Sequence, residues 1–264
     1  MNRIDAKMKQ LKDQQKTAFI GFLTAGDPDI KTCLSCLEQM EQNGCDIIEI
    51  GLPFSDPIAE GPVIQAANLR ALSHHITTDD IMDMVKTYRK TSDIPLLYLL
   101  YFNQIFTYGI QAFIDACADA GVDGLIIPDL PFEHRDELLP IAEAKNIELI
   151  SLVTPASKQR KQVITKDSKG FLYCVTSLGV TGERSEFSVD LKAFIEELNQ
   201  YCDTPKALGF GISTPEQIKE MKSYADGIIV GSAIVRNIEE ISTKGSTPQD
   251  VGYFIKALST ACHS

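Results

Sequence analysis

No run of this sequence stays apolar long enough to cross a bilayer. The longest, Ile94 to Phe102, contains Pro95 and falls far short of the roughly 20 residues a spanning helix needs. The opening, MNRIDAKMKQLKDQQK, has no apolar segment of the secretory-signal type and is expected to form an extra N-terminal helix. Basic excess is missing too. The 25 Lys and Arg stand against 36 Asp and Glu, a net charge of −11. Nucleic acids and anionic membranes are bound through Lys/Arg excess, so neither is an expected partner. A small anion is still allowed, because backbone N–H groups bind phosphate without net positive charge. Tryptophan is absent, which excludes no function in a chain of 264 residues.

Metal and disulfide chemistry also lack their usual signals. His74, His75, His134 and His263 are unclustered and read as surface or capping residues. The seven Cys are odd in number and form no framework, as suits a reducing compartment. Cys33-x-x-Cys36 lies on an amphipathic helical pattern without a second pair or a His at metal spacing, so it reads as packing. The chain is expected to be soluble and cytoplasmic. No Gly/Ser-rich, Pro-rich or charged linker divides it, so one domain over residues 1–264 is expected.

What is present is a rhythm of short apolar runs alternating with longer amphipathic segments. Strands are predicted at Ala18–Leu23, Asp46–Gly51, Leu96–Tyr101, Gly124–Ile127, Glu148–Leu152, Phe171–Val175, Ala207–Gly209 and Gly227–Val230. Several are near-continuously apolar, as parallel strands covered on both faces must be. Helices are predicted at Ile30–Gln42, Asp79–Arg89, Ile110–Ala120, Arg135–Lys145, Lys158–Thr165, Val189–Tyr201, Pro215–Met221 and Pro248–Thr260. Asp29, Thr78 and Thr214 are among the expected caps at their starts. Gly44-Cys-Asp-Ile-Ile, Gly121-Val-Asp-Gly-Leu and Tyr224-Ala-Asp-Gly-Ile echo one another where a helix ends and a strand begins. Eight strands and about eight helices match a (β/α)8 barrel of the TIM type, an α/β fold of about 250 residues. The rival, an open doubly wound sheet, usually carries G-x-G-x-x-G after its first strand. Here Thr24-Ala-Gly-Asp-Pro28 follows instead, and the barrel is favoured.

Barrel enzymes draw their working residues from strand C-termini and the loops that follow. Glu49 sits within Ile47-Ile-Glu-Ile50, at the end of the second predicted strand. A salt bridge at a strand end is the plain alternative. A lone charge in an apolar strand is costly, however, and desolvation raises a carboxyl pKa toward the range useful for acid/base work. Asp129 ends the fourth strand and either serves the site or orders its loop. Asn103 follows the third strand and offers an amide. Gly209-Phe-Gly-Ile-Ser213 and Gly231-Ser-Ala233 follow the seventh and eighth strands, where barrels commonly hold phosphate on backbone N–H groups. Gly179-Val-Thr-Gly-Glu-Arg184 follows the sixth and has the look of a lid. Phe22, Leu99, Tyr101, Tyr173 and Phe210 are core residues taken singly, but together they form an apolar slot beside such a cradle. No metal cluster is visible. No Lys stands at a strand C-terminus for Schiff-base chemistry, since Lys206 begins its strand. The expected ligand is a phosphorylated molecule with an apolar body.

These residues carry a resemblance. Phe22-Leu-Thr-Ala-Gly-Asp-Pro28, Glu49-Ile-Gly-Leu-Pro-Phe-Ser-Asp-Pro57, Gly61-Pro62, Gly179-Val-Thr-Gly182, Gly209-Phe-Gly-Ile-Ser213 and Gly231-Ser-Ala-Ile-Val235 resemble the tryptophan synthase alpha subunit over nearly the whole chain. The resemblance implies retro-aldol cleavage of indole-3-glycerol phosphate to indole and glyceraldehyde 3-phosphate. It also implies that indole passes to a pyridoxal-phosphate-dependent beta subunit in an α2β2 heterotetramer, and that the alpha subunit itself has no cofactor. It makes Glu49 the acid/base and Glu60 the second carboxylate, near the indole N–H. It makes Tyr173 and Phe22 pocket residues and Gly182, Gly211 and Ser232 phosphate contacts; Phe210 and Gly231, in the same strand-end segments, are expected to line the site with them. Ser55, Asp56 and Pro57 become a closing loop that touches the beta subunit, with Asn103 and Asp129 near that interface.

The family pattern A-D-G-P is Ala59-Glu-Gly-Pro62 here, so Glu60 adds a methylene. Two readings follow. One is an active lyase. The other is a catalytically weak or inactive subunit that mainly binds and activates the beta subunit. On sequence alone, reverting Glu60→Asp is expected to raise turnover.

Overall fold

The structure, a computed structural model, describes residues 1–175, 191–209 and 211–264. Among the described residues nine strands are found: β1 (Ala18–Thr24), β2 (Ile47–Gly51), β3 (Leu96–Leu99), β4 (Gly124–Ile126), β5 (Glu148–Leu149), β6 (Ser151–Val153), β7 (Leu172–Val175), β8 (Lys206–Gly209) and β9 (Gly227–Val230). They are all parallel, in the order β5-β4-β3-β2-β1-β9-β8-β7-β6. The two ends of that order are one piece of chain. β5 and β6 flank Ile150, whose N–H donates to Leu125 O at 2.9 Å. The first half of this run pairs with β4 and the second half with β7, so the sheet closes. The predicted fifth strand thus exists in two pieces, and the barrel is the TIM type expected.

Side-chain alternation separates two cores. Inward residues Ala18, Ile20, Ile47, Leu97, Ile126, Ile150, Phe171, Ala207 and Ile229 fill the barrel. Outward residues such as Leu23, Ile48, Ile50, Tyr98 and Leu208 pack under the helices. The N-terminal helix, Arg3–Asp13, forms as expected and plugs the bottom of the barrel with Ile4, Met8 and Leu11. Asn2 locks it there. Its side chain accepts from Ile4 N and donates to Asp123 O and Asn146 O, all at 2.8 Å.

Most predicted helices are present within a few residues, Ile30–Gln42, Ile110–Ala120 and Pro215–Met221 with the predicted bounds. Asp29 and Thr214 cap as expected. The helix placed at Asp79 begins at Thr78 and is capped by Thr77 through a reciprocal bond with Asp80. The helix placed at Arg135–Lys145 is instead a 3-10 segment, Phe132–Glu137, followed by Leu139–Ala144. Pro140 within that stretch has no N–H for the helical ladder. Helices Pro62–Ser73 and Phe102–Tyr108 were not predicted. The first buries two Ala and an Asn among its four inward positions, and the second buries only Ile105, so neither shows a strong apolar stripe.

All seven Cys are free and six are buried. Burial pushes the Cys33 thiol up to about 12, consistent with packing rather than redox work. His263 departs from a surface role. Its Nε2 lies 2.7 Å from Asp46 Oδ2, and the other bond of that oxygen is from Phe19 N. Among the described residues no helix is long and apolar enough to cross a membrane.

Candidate active site

One cavity opens among the C-terminal ends of the strands and encloses about 710 Å³, part of it open to solvent. Its walls are largely apolar, and it gathers Phe22, Glu49, Glu60, Leu99, Tyr173, Gly211, Gly231 and Ser232 from six strand ends. These residues were predicted from strand position or from the resemblance, and the fold brings them to one place. Phe210 and Gly182 lie outside the described residues, as does the Gly179–Arg184 segment.

Glu49 is the electrostatic centre of the pocket. It pairs in register with Phe22 on β1 and Leu97 on β3. Like Ile47, two residues before it, it points inward. The residue is fully buried, and among the described residues neither carboxyl oxygen has a hydrogen-bond partner. Burial alone pushes its pKa to about 8. A carboxyl held this way is mostly protonated at neutral pH.

Glu60 arrives from the loop after β2 and is 5% exposed. Its Oε2 accepts a hydrogen bond from the Tyr101 hydroxyl. Burial raises its pKa and the Tyr101 bond partly offsets that. The same hydroxyl oxygen accepts the N–H groups of Ile58 and Ala59, both at 2.9 Å. Tyr101 therefore fixes the loop and its carboxylate together. Its ring stacks on Phe54 at 5.0 Å. Gln104 completes the brace, accepting from Tyr101 N and donating to Pro53 O, both at 3.1 Å. The sequence placed Tyr101 at the site only as apolar lining, and its hydroxyl role was missed. Arg70 was missed as well. It grips Asp27 through two bonds of 2.8 Å and Glu239 through one of 2.7 Å, tying the loop after β1 to two helices beside the pocket.

Two glycines make room for the aromatic walls. A Cβ at Gly51 would lie 2.6 Å from the Phe22 ring, and one at Gly209 would lie 2.5 Å from the Tyr173 ring. Tyr173 stays protonated, its pKa held well up by burial and by nearby Glu49 and Glu60. At the other end of the cavity, Gly231 and Ser232 begin the helix Ser232–Lys244, whose N-terminus favours an anion. Among the described residues no Lys or Arg lines the cavity.

Ser55 and Asp56 are exposed and bonded to each other, and Pro57 is half-buried beside them. Asn103 is exposed. Asp129 is half-buried and does not line the cavity. Its Oδ1 accepts the N–H of Phe102 at 2.9 Å, so it orders the loop after β3.

Fold and site define a (β/α)8-barrel enzyme with a buried carboxyl of raised pKa at one end of an apolar slot and a helix N-terminus at the other. The family described as tryptophan synthase alpha chain matches residues 8–261. The tryptophan synthase alpha chain of Thermoanaerobacter sp. (strain X514) is 50% identical, with 98% of each chain covered. That of Lacticaseibacillus casei is 46% identical over 96% of each. The crystal structure of the tryptophan synthase alpha chain from Legionella pneumophila superposes with a TM-score of 0.90 at 34% identity, covering 99% of this chain and 97% of that one. The chain belongs to the tryptophan synthase alpha chain family, lyases that cleave indole-3-glycerol phosphate.

Proposed function

We propose that Glu49 is the acid/base of the cleavage, acting on indole C3 and on the adjacent glycerol hydroxyl. The observation that carries this is its burial among apolar neighbours with both oxygens unpartnered and a pKa near 8. Protonated Glu49 delivers its proton to indole C3, which leaves positive charge on the ring nitrogen. The Glu49 carboxylate then takes the hydroxyl proton. As the C–C bond breaks, its electron pair returns to C3 and neutralises the ring. Indole and the aldehyde leave, and Glu49 ends protonated, as it began.

Glu60 stabilises the charge on the ring nitrogen through its carboxylate, held by Tyr101. Phe22 and Tyr173 flank the indole, with Phe210 beside them. Gly182, Gly211, Gly231 and Ser232 hold the phosphate. Ser55, Asp56 and Pro57 close over the site and, with Asn103 and Asp129, face the beta subunit. The chain works as one barrel domain in the cytoplasm, without a cofactor of its own. Its partner is the pyridoxal-phosphate-dependent beta subunit in an α2β2 assembly.

The lyase reading is preferred over an interaction-only subunit because Glu60, despite its extra methylene, is seated in the pocket by a specific bond. Indole release from indole-3-glycerol phosphate, measured with and without beta subunit, tests the choice. Release well above background is expected in both, and higher in the complex. Background release with full activation of the beta subunit would leave the interaction-only reading.

A further inference from the structure

A second cavity lies between strands β4 to β6 and the segments Phe132–Glu137 and Arg160–Lys166, and neither Glu49 nor Glu60 lines it. It encloses about 920 Å³, part of it open to solvent. Leu125, Ile127 and Leu149 form one wall from the strand side. Phe132 and Ile164 form the other. Arg135 opens into this apolar space. It is only 8% exposed, yet among the described residues no carboxylate lies within ion-pair distance of it. Its Nη1 donates to Ser151 Oγ at 3.3 Å, and its guanidinium lies 3.8 Å from the centre of the Phe132 ring. Asp167, Asp136 and Glu143 act on it only at a distance, and burial outweighs them.

A guanidinium carries five N–H donors in a planar fork, and a charge removed from water is ordinarily paired. Among the described residues one donor is used, on a neutral hydroxyl. The cavity's other arginine, Arg160, is committed to Glu133 through bonds of 2.6 and 3.1 Å. One positive charge is therefore left without a close counter-charge in a chamber whose walls are mostly apolar, with Ser151, Thr154 and Ser157 among them. That charge matches a monoanion, and the fork matches the two oxygens of a carboxylate. A phosphate dianion would leave negative charge uncompensated.

We propose that this cavity binds a small carboxylate with an aryl or branched-alkyl body, Arg135 holding the carboxylate and the aliphatic walls covering the body. The proposal is independent of the roles assigned in the active site. Pro128 and Leu152 line both cavities, so a test has to separate them.

Calorimetric titration of the full chain with 4-phenylbutyrate does so when the substrate pocket is saturated with indole-3-propanol phosphate. Binding of one equivalent is expected under that block. The uncharged 4-phenylbutan-1-ol, with the same body, should bind at least about tenfold more weakly. Arg135→Met should weaken binding of the acid by a similar factor, with Arg135→Lys between the two. If Arg135→Met does not fold, the comparison of acid and alcohol on the unaltered chain decides. Four results would overturn the proposal. They are absence of binding up to about 10 mM, equal affinity for acid and alcohol, unchanged affinity in Arg135→Met, and tighter binding of the dianion 4-phenylbutylphosphonate.

Discussion

Glu49→Gln separates what Glu49 does for the reaction from what it costs the fold. Its pKa near 8 in the native state stands against an ordinary value of 4.5. Between those values the folded chain holds a proton at Glu49 that the unfolded chain has released. The sign follows from linkage: stability falls as pH rises through that window and levels off above it. Each pH step inside the window costs about 1.4 kcal/mol, so Glu49 alone removes about 4 kcal/mol between pH 5 and pH 9. Glutamine keeps the shape and cannot ionise.

Glu148 complicates the raw curve. It is buried at the opposite end of the barrel, and burial together with Asp5 lifts its pKa to about 8 as well. The absolute slope therefore has two sources, and only the difference between the unaltered chain and Glu49→Gln isolates one. Urea unfolding of both proteins at pH 5 and pH 9 gives that difference. The gap in favour of Glu49→Gln should open by about 4 kcal/mol from the lower pH to the higher. Parallel curves would mean that Glu49 ionises as an ordinary carboxyl, and the acid/base argument would lose its physical basis.

Three further substitutions probe the rest of the pocket. Tyr101→Phe deletes one donor and one acceptor that hold Glu60, Ile58 and Ala59, and a loss of about 1–3 kcal/mol in stability is expected from urea melts. Its kcat for indole release should fall about tenfold or more, since each 1.4 kcal/mol of misplacement costs that factor. Glu60→Asp draws the carboxylate one methylene away from Tyr101, so turnover is now expected to fall rather than rise. A rise in kcat would show that the longer side chain is a handicap. Gly51→Ala places a Cβ against the Phe22 ring, where 2.6 Å is too close, and a higher KM for indole-3-glycerol phosphate is expected with a stability cost of about 1–3 kcal/mol.

The barrel was legible because its strands are short and apolar on both faces, so the sequence shows them without alternation. Glu49 was legible for the same reason: a charge inside such a run has no structural use unless it is paired, and here it is unpaired. Gly211, Gly231 and Ser232 were legible as cavity lining because they directly follow strands. Other features were not. The break of the fifth strand at Ile150 depends on which neighbour each half meets, β4 or β7, and no local pattern records that. Helix Pro62–Ser73 hides its inward face in alanines and Asn68. The Tyr101–Glu60 bond joins residues 41 apart, and a tyrosine at a strand end reads first as an apolar ring.

The measurement that bears most directly on the account is the pH dependence of indole release from indole-3-glycerol phosphate, for the unaltered chain and Glu49→Gln, each with beta subunit. For the unaltered chain, kcat/KM is predicted to fall above pH about 8 as Glu49 loses its proton. Glu49→Gln is predicted to lose about 10²- to 10⁴-fold in kcat and the inflection with it. Turnover by Glu49→Gln at the unaltered rate, with the inflection still in place, would contradict the central claim.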